Sequence, residues 1–140
     1  MAPSAEQAAT AAGSGSGVIG WKLERGQRDD LLRRFPPTYR NIDADHVTLA
    51  IDTAVDAPLP QENAAEIVGR ADDGRGLEAM AVRIGGTSDR PDGSIYHITW
   101  SLEDGRRANE SNEMLARQGF VPFDEPVPIG LQPARWLRSS

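Results

Sequence analysis

The chain contains no cysteine, so disulfides, thiolate catalysis and Cys-ligated zinc are excluded. Positive charge is short as well. Fifteen Lys and Arg stand against 21 Asp and Glu, a net charge of −6, which argues against holding duplex DNA or an anionic membrane surface by bulk electrostatics. Lys22 is the single lysine; the remaining cations are arginines, whose planar guanidinium groups suit bidentate contacts, although solvated surface pairs account for most of such an excess. Long apolar runs are missing too. Nothing approaches the ~20 residues of a spanning helix, and the N-terminus has neither the basic nor the apolar part of a signal peptide. A soluble, cytoplasmic protein without a membrane partner is the expectation.

At 140 residues the chain has the size of one domain with a real core. Residues 1–16 are rich in Ala, Ser and Gly and end in Gly-Ser-Gly-Ser, which reads as a disordered tail ahead of a domain over 17–140. Within that domain the pattern predicts a strand at Val18–Leu23 and an amphipathic helix at Glu24–Phe35, ended by Pro36-Pro37. A hairpin follows, Glu66–Ala71 and Leu77–Ile84, joined by the glycine-containing turn 72–76. Gly85–Ser94 is a polar loop placed to serve as a phosphate-side or lid loop, with a plain connector as the commoner use of such a stretch. Asn109–Gln118 reads as a helix with Gly119 as its stop. Residues 120–131 carry three prolines and fit extended edge structure, while Trp136 and Leu137 are expected to close the core.

Only two histidines are present, and each opens the same pattern, His46-Val47-Thr48-Leu49 and His97-Ile98-Thr99-Trp100. Both runs alternate strictly, so each places its imidazole and its hydroxyl on one face of a strand and its apolar residues on the other. A lone histidine in a strand is usually structural. Both having threonine at +2 would arise in roughly one random shuffle in five hundred, which favours a site.

Two imidazoles on one groove can act as general base and general acid near neutral pH, because an unperturbed pKa of about 6.5 lets one be neutral while the other is protonated. Such a pair suits in-line displacement at phosphorus without an obligatory metal, the threonine hydroxyls donating to the non-bridging oxygens. The two His-x-Thr-hydrophobic motifs resemble those of the two-histidine (2H) phosphoesterase superfamily, which includes RNA 2′,3′-cyclic phosphodiesterases and the cyclic phosphodiesterase part of fungal tRNA ligases. The resemblance implies an α+β, single bilobal domain with two antiparallel sheets around a central cleft, each contributing one His-x-Thr strand. It implies hydrolysis of a cyclic phosphodiester, typically an RNA-end or nucleotide 2′,3′-cyclic phosphate opened to a 2′-phosphate, with no cofactor and a monomeric enzyme. It places catalysis on His46 and His97 and phosphate binding on Thr48 and Thr99, with His97 as base and His46 as acid. Two departures stand out: a short gap between the motifs, and Asp45 where an apolar residue is usual. By alternation Asp45 should face away from His46.

Lys22, Arg90, Tyr96 and Ser101 are further candidates for substrate contacts, each weighed against a solvated charge, a core aromatic or a plain polar residue. Ser111 and Asn112 could line the site, though helix capping explains the serine equally well. Competing readings are a non-catalytic phosphate- or nucleotide-binding module, and a metal site joining His46 and His97 with Asp43, Asp45 or Asp52. The spacing lacks the short repeats of common zinc motifs, so no metal is assigned.

Overall fold

The computed structural model describes residues 2–138. Ten elements follow one another: α1 (Ala5–Thr10), β1 (Gly17–Leu23), α2 (Arg25–Arg34), β2 (Asn41–Ile42), β3 (His46–Thr53), β4 (Ala64–Asp72), β5 (Leu77–Ile84), β6 (His97–Leu102), α3 (Glu110–Gln118) and β7 (Val121–Leu137). The class is α+β. All strand pairs are antiparallel and form one curled sheet in the order β2-β6-β5-β4-β7-β1-β3, where two separate sheets were expected. Among the described residues no helix is long and apolar enough to cross a membrane.

The link between the two ends of the sheet is β7. Its first part, Val121–Gly130, pairs with β4, and its second, Leu131–Leu137, pairs with β1. Each part therefore has one ladder neighbour. That resolves how a strand central in the order tolerates Pro122, Pro126 and Pro128: amides alternate in direction along a strand, and the amide of Gly130 points away from β4 to the Gln27 side chain while that of Leu131 reaches the Asn63 carbonyl. Pro128 shares the parity of Gly130 within the regular ladder, so its missing donor falls on the open side, while Pro122 and Pro126 stand beside the irregularity between Val127 and Pro122.

One core lies on one face of the curl. Ile19, Trp21 and Leu23 of β1 meet Val47 and Leu49 of β3, Met80 and Val82 of β5, Ile98 and Trp100 of β6, and Val127, Ile129 and Leu131 of β7. The opposite face of β4, β5 and β6 is covered by α3 through Met114 and Leu115. The expected disordered tail instead supplies α1, with Ala5, Ala8 and Ala12 buried in the main core. Ser4 accepts from the Gln7 amide and the Gln7 side chain accepts from the Ser4 amide, a reciprocal cap that satisfies two orphan donors. Trp136 and Leu137 do not close the core. Trp136 is half-buried and Leu137 is 67% exposed.

Close approach of β1 and β3 depends on Gly20. A Cβ there would stand 2.1 Å from the Val47 carbonyl oxygen, a backbone atom that cannot rotate away. Gly20→Ala should cost about 3 kcal/mol, the upper end of ordinary overpacking, read as a lowered midpoint in urea; an unchanged midpoint would show that the strands can separate without loss.

Candidate functional site

The histidines open β3, at one edge of the sheet, and β6, next to the strand at the other edge. Asn41 pairs with Leu102 and Ile42 with Ser101, and the amides of Asp43 and Ala44 carry this alignment on to the carbonyls of Trp100 (3.0 Å) and Thr99 (2.8 Å). At Ala44 the backbone turns through φ 47°, a left-handed conformation unusual for a residue with a side chain. Arg28 of α2 holds that turn by donating to the carbonyls of Asp43 (2.9 Å) and Ala44 (2.8 Å). The chain then crosses from β6 to the edge of β1, becoming β3. β3 and β6 approach one another, and His46 and His97 are the first residues of these two strands. Both imidazoles lie on the face opposite the main core, since Val47, Leu49, Ile98 and Trp100 occupy that core.

Each ring is fixed through Nδ1, by different partners. His97 Nδ1 donates to the Ile95 carbonyl at 2.9 Å, which selects the Nδ1–H tautomer and leaves Nε2 with a lone pair. Burial pulls the His97 pKa below its usual value, and the positive charges of Arg90 and His46 push the same way. His46 Nδ1 lies 3.1 Å from Asp45 Oδ2, and its ring meets Trp136 edge-on at 5.0 Å between centroids.

Asp45 does not face away from His46 as alternation suggested. It precedes β3 in a stretch that is still turning, so the strand rule does not govern it. Its carboxylate also accepts from Lys22 Nζ at 2.7 Å and from Arg25. Burial alone would raise its pKa, but the hydrogen bonds from Lys22, Arg25 and His46 outweigh that and hold the group well below the ordinary carboxylate range. For Asp43 burial wins, and its pKa is raised.

The threonines are not equivalent. Thr48 is half-exposed on the His46 face. Thr99 is buried under α3, its hydroxyl 2.8 Å from that of Ser111 and 3.3 Å from the Ala108 carbonyl. A phosphate could reach Thr99 Oγ1 only if these partners were exchanged. Asn112, beside Ser111, has an Oδ1 that is buried without a partner among the described residues.

The secondary candidates are mostly spent on structure. Arg90 is 6% exposed and forks onto Asp92, fixing the 85–94 loop; it reaches His97 by charge rather than offering a free phosphate contact. Tyr96 is buried edge-on against Trp21, with burial pushing its pKa up to about 12. Ser101 is fully buried and donates to Glu78 Oε1 at 2.6 Å. Lys22 alone stays beside the pair, tied to Asp45 and 4.5 Å above the Trp136 ring. Charge complementarity and packing, not ligand binding, explain the other three.

Ligand atoms of Asp43, Asp45 and His46 fall within 4.8 Å of one another, while Asp52 pairs with Arg138 instead. The trio has the residue types of a metal site. Two of its three members are already engaged, however: Asp45 balances Lys22 and Arg25, and His46 Nδ1 is turned onto Asp45. A cation there would have to displace two resident cations. Two surface cavities, of about 300 and 180 Å³, are lined by Glu24, Gln27 and Gly130 in one case and by Val55, Trp136 and Leu137 in the other; neither is lined by a histidine. Comparison with models of protein families, with curated proteins and with solved structures finds no match.

Proposed function

We propose that this chain hydrolyses a cyclic phosphodiester, with an RNA end or nucleotide 2′,3′-cyclic phosphate as substrate and a 2′-phosphate as product. What supports the reading is that β3 and β6, the strands that begin with His46 and His97, lie against each other, each ring being fixed through Nδ1 so that Nε2 is the atom left for chemistry. The part of the sheet built on β1 and β3 supplies one motif and the part built on β4, β5 and β6 the other, in the manner of two lobes. His97 Nε2 takes a proton from water as the oxygen attacks phosphorus. The P–O3′ bond breaks, and O3′ takes the Nε2 proton of a His46 imidazolium, which is left as the neutral ring with its proton on Nδ1. Thr48 donates to a non-bridging oxygen, where charge builds in the transition state.

A second reading is a phosphate-binding module that does not turn its ligand over: with the Thr99 hydroxyl engaged by Ser111, one of the two expected transition-state donors is missing while Thr48 can still hold a phosphate. One experiment separates the two. The purified protein is incubated in EDTA with 2′,3′-cyclic nucleotides and with RNA ending in a cyclic phosphate, and products are followed by ³¹P NMR. Formation of a 2′-phosphomonoester supports the hydrolase. A thermal shift with every substrate recovered intact supports the binding module and removes the hydrolase.

A further inference from the structure

The two imidazoles stand in unlike surroundings, and the difference originates in Asp45. His97 gives its Nδ1–H to a neutral backbone carbonyl, that of Ile95. His46 instead faces a carboxylate, Asp45 Oδ2 at 3.1 Å, whose oxygens also receive Lys22 of β1 and Arg25 of α2. Asp43 from the turn stands beside them, its carboxylate within 4.8 Å of ligand atoms of Asp45 and His46. Asp45 is thus held between one imidazole and two permanent cations. Among the described residues it is the one side-chain hydrogen-bond partner that His46 has.

We propose that Asp45 is a positioning residue, which fixes His46 as the Nδ1–H tautomer and so aims Nε2 at the place where the phosphate would sit. The role rests on the phosphodiesterase reading only in its consequence, that a His46 imidazolium, its Nδ1–H held by Asp45, gives its Nε2 proton to the leaving oxygen and is left as the Nδ1–H tautomer. The physical argument is direct. An ionised carboxylate offers acceptors only, so the proton between it and the ring must belong to Nδ1. Free neutral imidazole of histidine favours the opposite tautomer, with its proton on Nε2; without Asp45 the ring would lose both its tautomeric bias and its orientation. Lys22 and Arg25 keep the carboxylate in place and ionised, so that it acts as an acceptor at any pH at which the protein is folded and neutral imidazole exists. The arrangement parallels the buried carboxylate that orients the histidine of a serine-protease triad, where losing the correct tautomer lowers kcat by about 10⁴.

The test reads the tautomer itself. In ¹⁵N-labelled protein above pH 8, the ring nitrogens of His46 should report the Nδ1–H form in the wild type and a shift toward Nε2–H in Asp45→Ala, with Asp45→Glu restoring part of the original pattern. His97 serves as the internal control for folding, since its Nδ1–H bond to Ile95 is independent of Asp45. With a cyclic phosphate substrate, Asp45→Ala should lower kcat at least tenfold with little change in KM. A His46 tautomer that is the same with and without Asp45, while His97 is unchanged, overturns the proposal even if hydrolysis is found. The expected tautomer shift in a protein that turns over no cyclic phosphate upholds the Asp45 role and sinks the hydrolase reading instead.

Discussion

His97→Ala and His46→Ala should each reduce hydrolysis of a cyclic phosphate by about 10² to 10⁴, the usual worth of a positioned acid or base, while the protein stays folded. The expectation of an intact fold comes from placement. Both rings lie off the main core, half-buried at the first residue of their strands, and neither ring bonds an element that would lose its only anchor. Melting curves that overlay the wild type, beside lost turnover, are the expected pair of results; equal turnover in either variant would refute the acid–base assignment. The pH dependence gives a second handle. Because burial lowers the His97 pKa, its Nε2 lone pair survives to lower pH than in a free imidazole, and the acid limb of the rate profile should lie below about 6.5. The same shift has a consequence for stability. The fold prefers the neutral ring, so the contribution of His97 is complete above its unfolded pKa and is lost as pH falls from there through the folded value. His97→Ala should remove that part of the pH dependence.

The local periodicities carry most of the strands. The alternation at His46–Ile51 and His97–Leu102, the hairpin around 72–76, and the helices ending at Pro36 and Gly119 all recur in the structure within a residue or two. What alternation could not supply was the side on which non-strand neighbours lie. Asp45 sits one residue before β3, where the backbone is still recovering from the left-handed turn at Ala44, and the turn swings its carboxylate onto His46. The α1 helix was readable in principle: Ser4-x-x-Gln7 is a capping box and Ala5, Ala8 and Ala12 share a helical face, signals outweighed by the surrounding Ala, Ser and Gly. The prolines at 122, 126 and 128 indicate edge character, and the part of β7 that carries them has a ladder neighbour on one side only, but nothing local reveals that the strand runs on to pair with β1 and so stands inside the sheet order. For Thr99 and Ser101 alternation assigns a face but not what covers it, which α3 and Glu78 do from elsewhere in the chain. Arg90, in the loop before β6, is taken by Asp92 two residues on.

Glu78→Ala should be the most damaging substitution of a charged residue for stability, by about 3 kcal/mol, the lower end of what breaking a buried ion pair costs. The Glu78 side chain is fully buried and its carboxylate accepts from Arg70, from the amide and hydroxyl of Thr38, and from Ser101. The lower end applies because the partner Arg70 is 30% exposed and can recover hydration when the carboxylate is gone. Burial alone would push the Glu78 pKa up, yet the hydrogen bonds from Ser101, Thr38 and Arg70 prevail and lower it. The sign for stability follows: the contribution is fully present above the unfolded pKa of about 4.3 and disappears as pH falls through the lower folded value. Urea midpoints between pH 3 and 7 should therefore converge for wild type and Glu78→Gln at the acid end and separate above it. A constant gap across that range would show that the charge contributes nothing. The bonds to Thr38 have a further effect, because residues 36–40 lead into β2 and the turn that precedes His46. Loosening them should blur the register between β2 and β6, and a Glu78→Ala protein that remains folded in the cold should still lose activity through misplaced histidines.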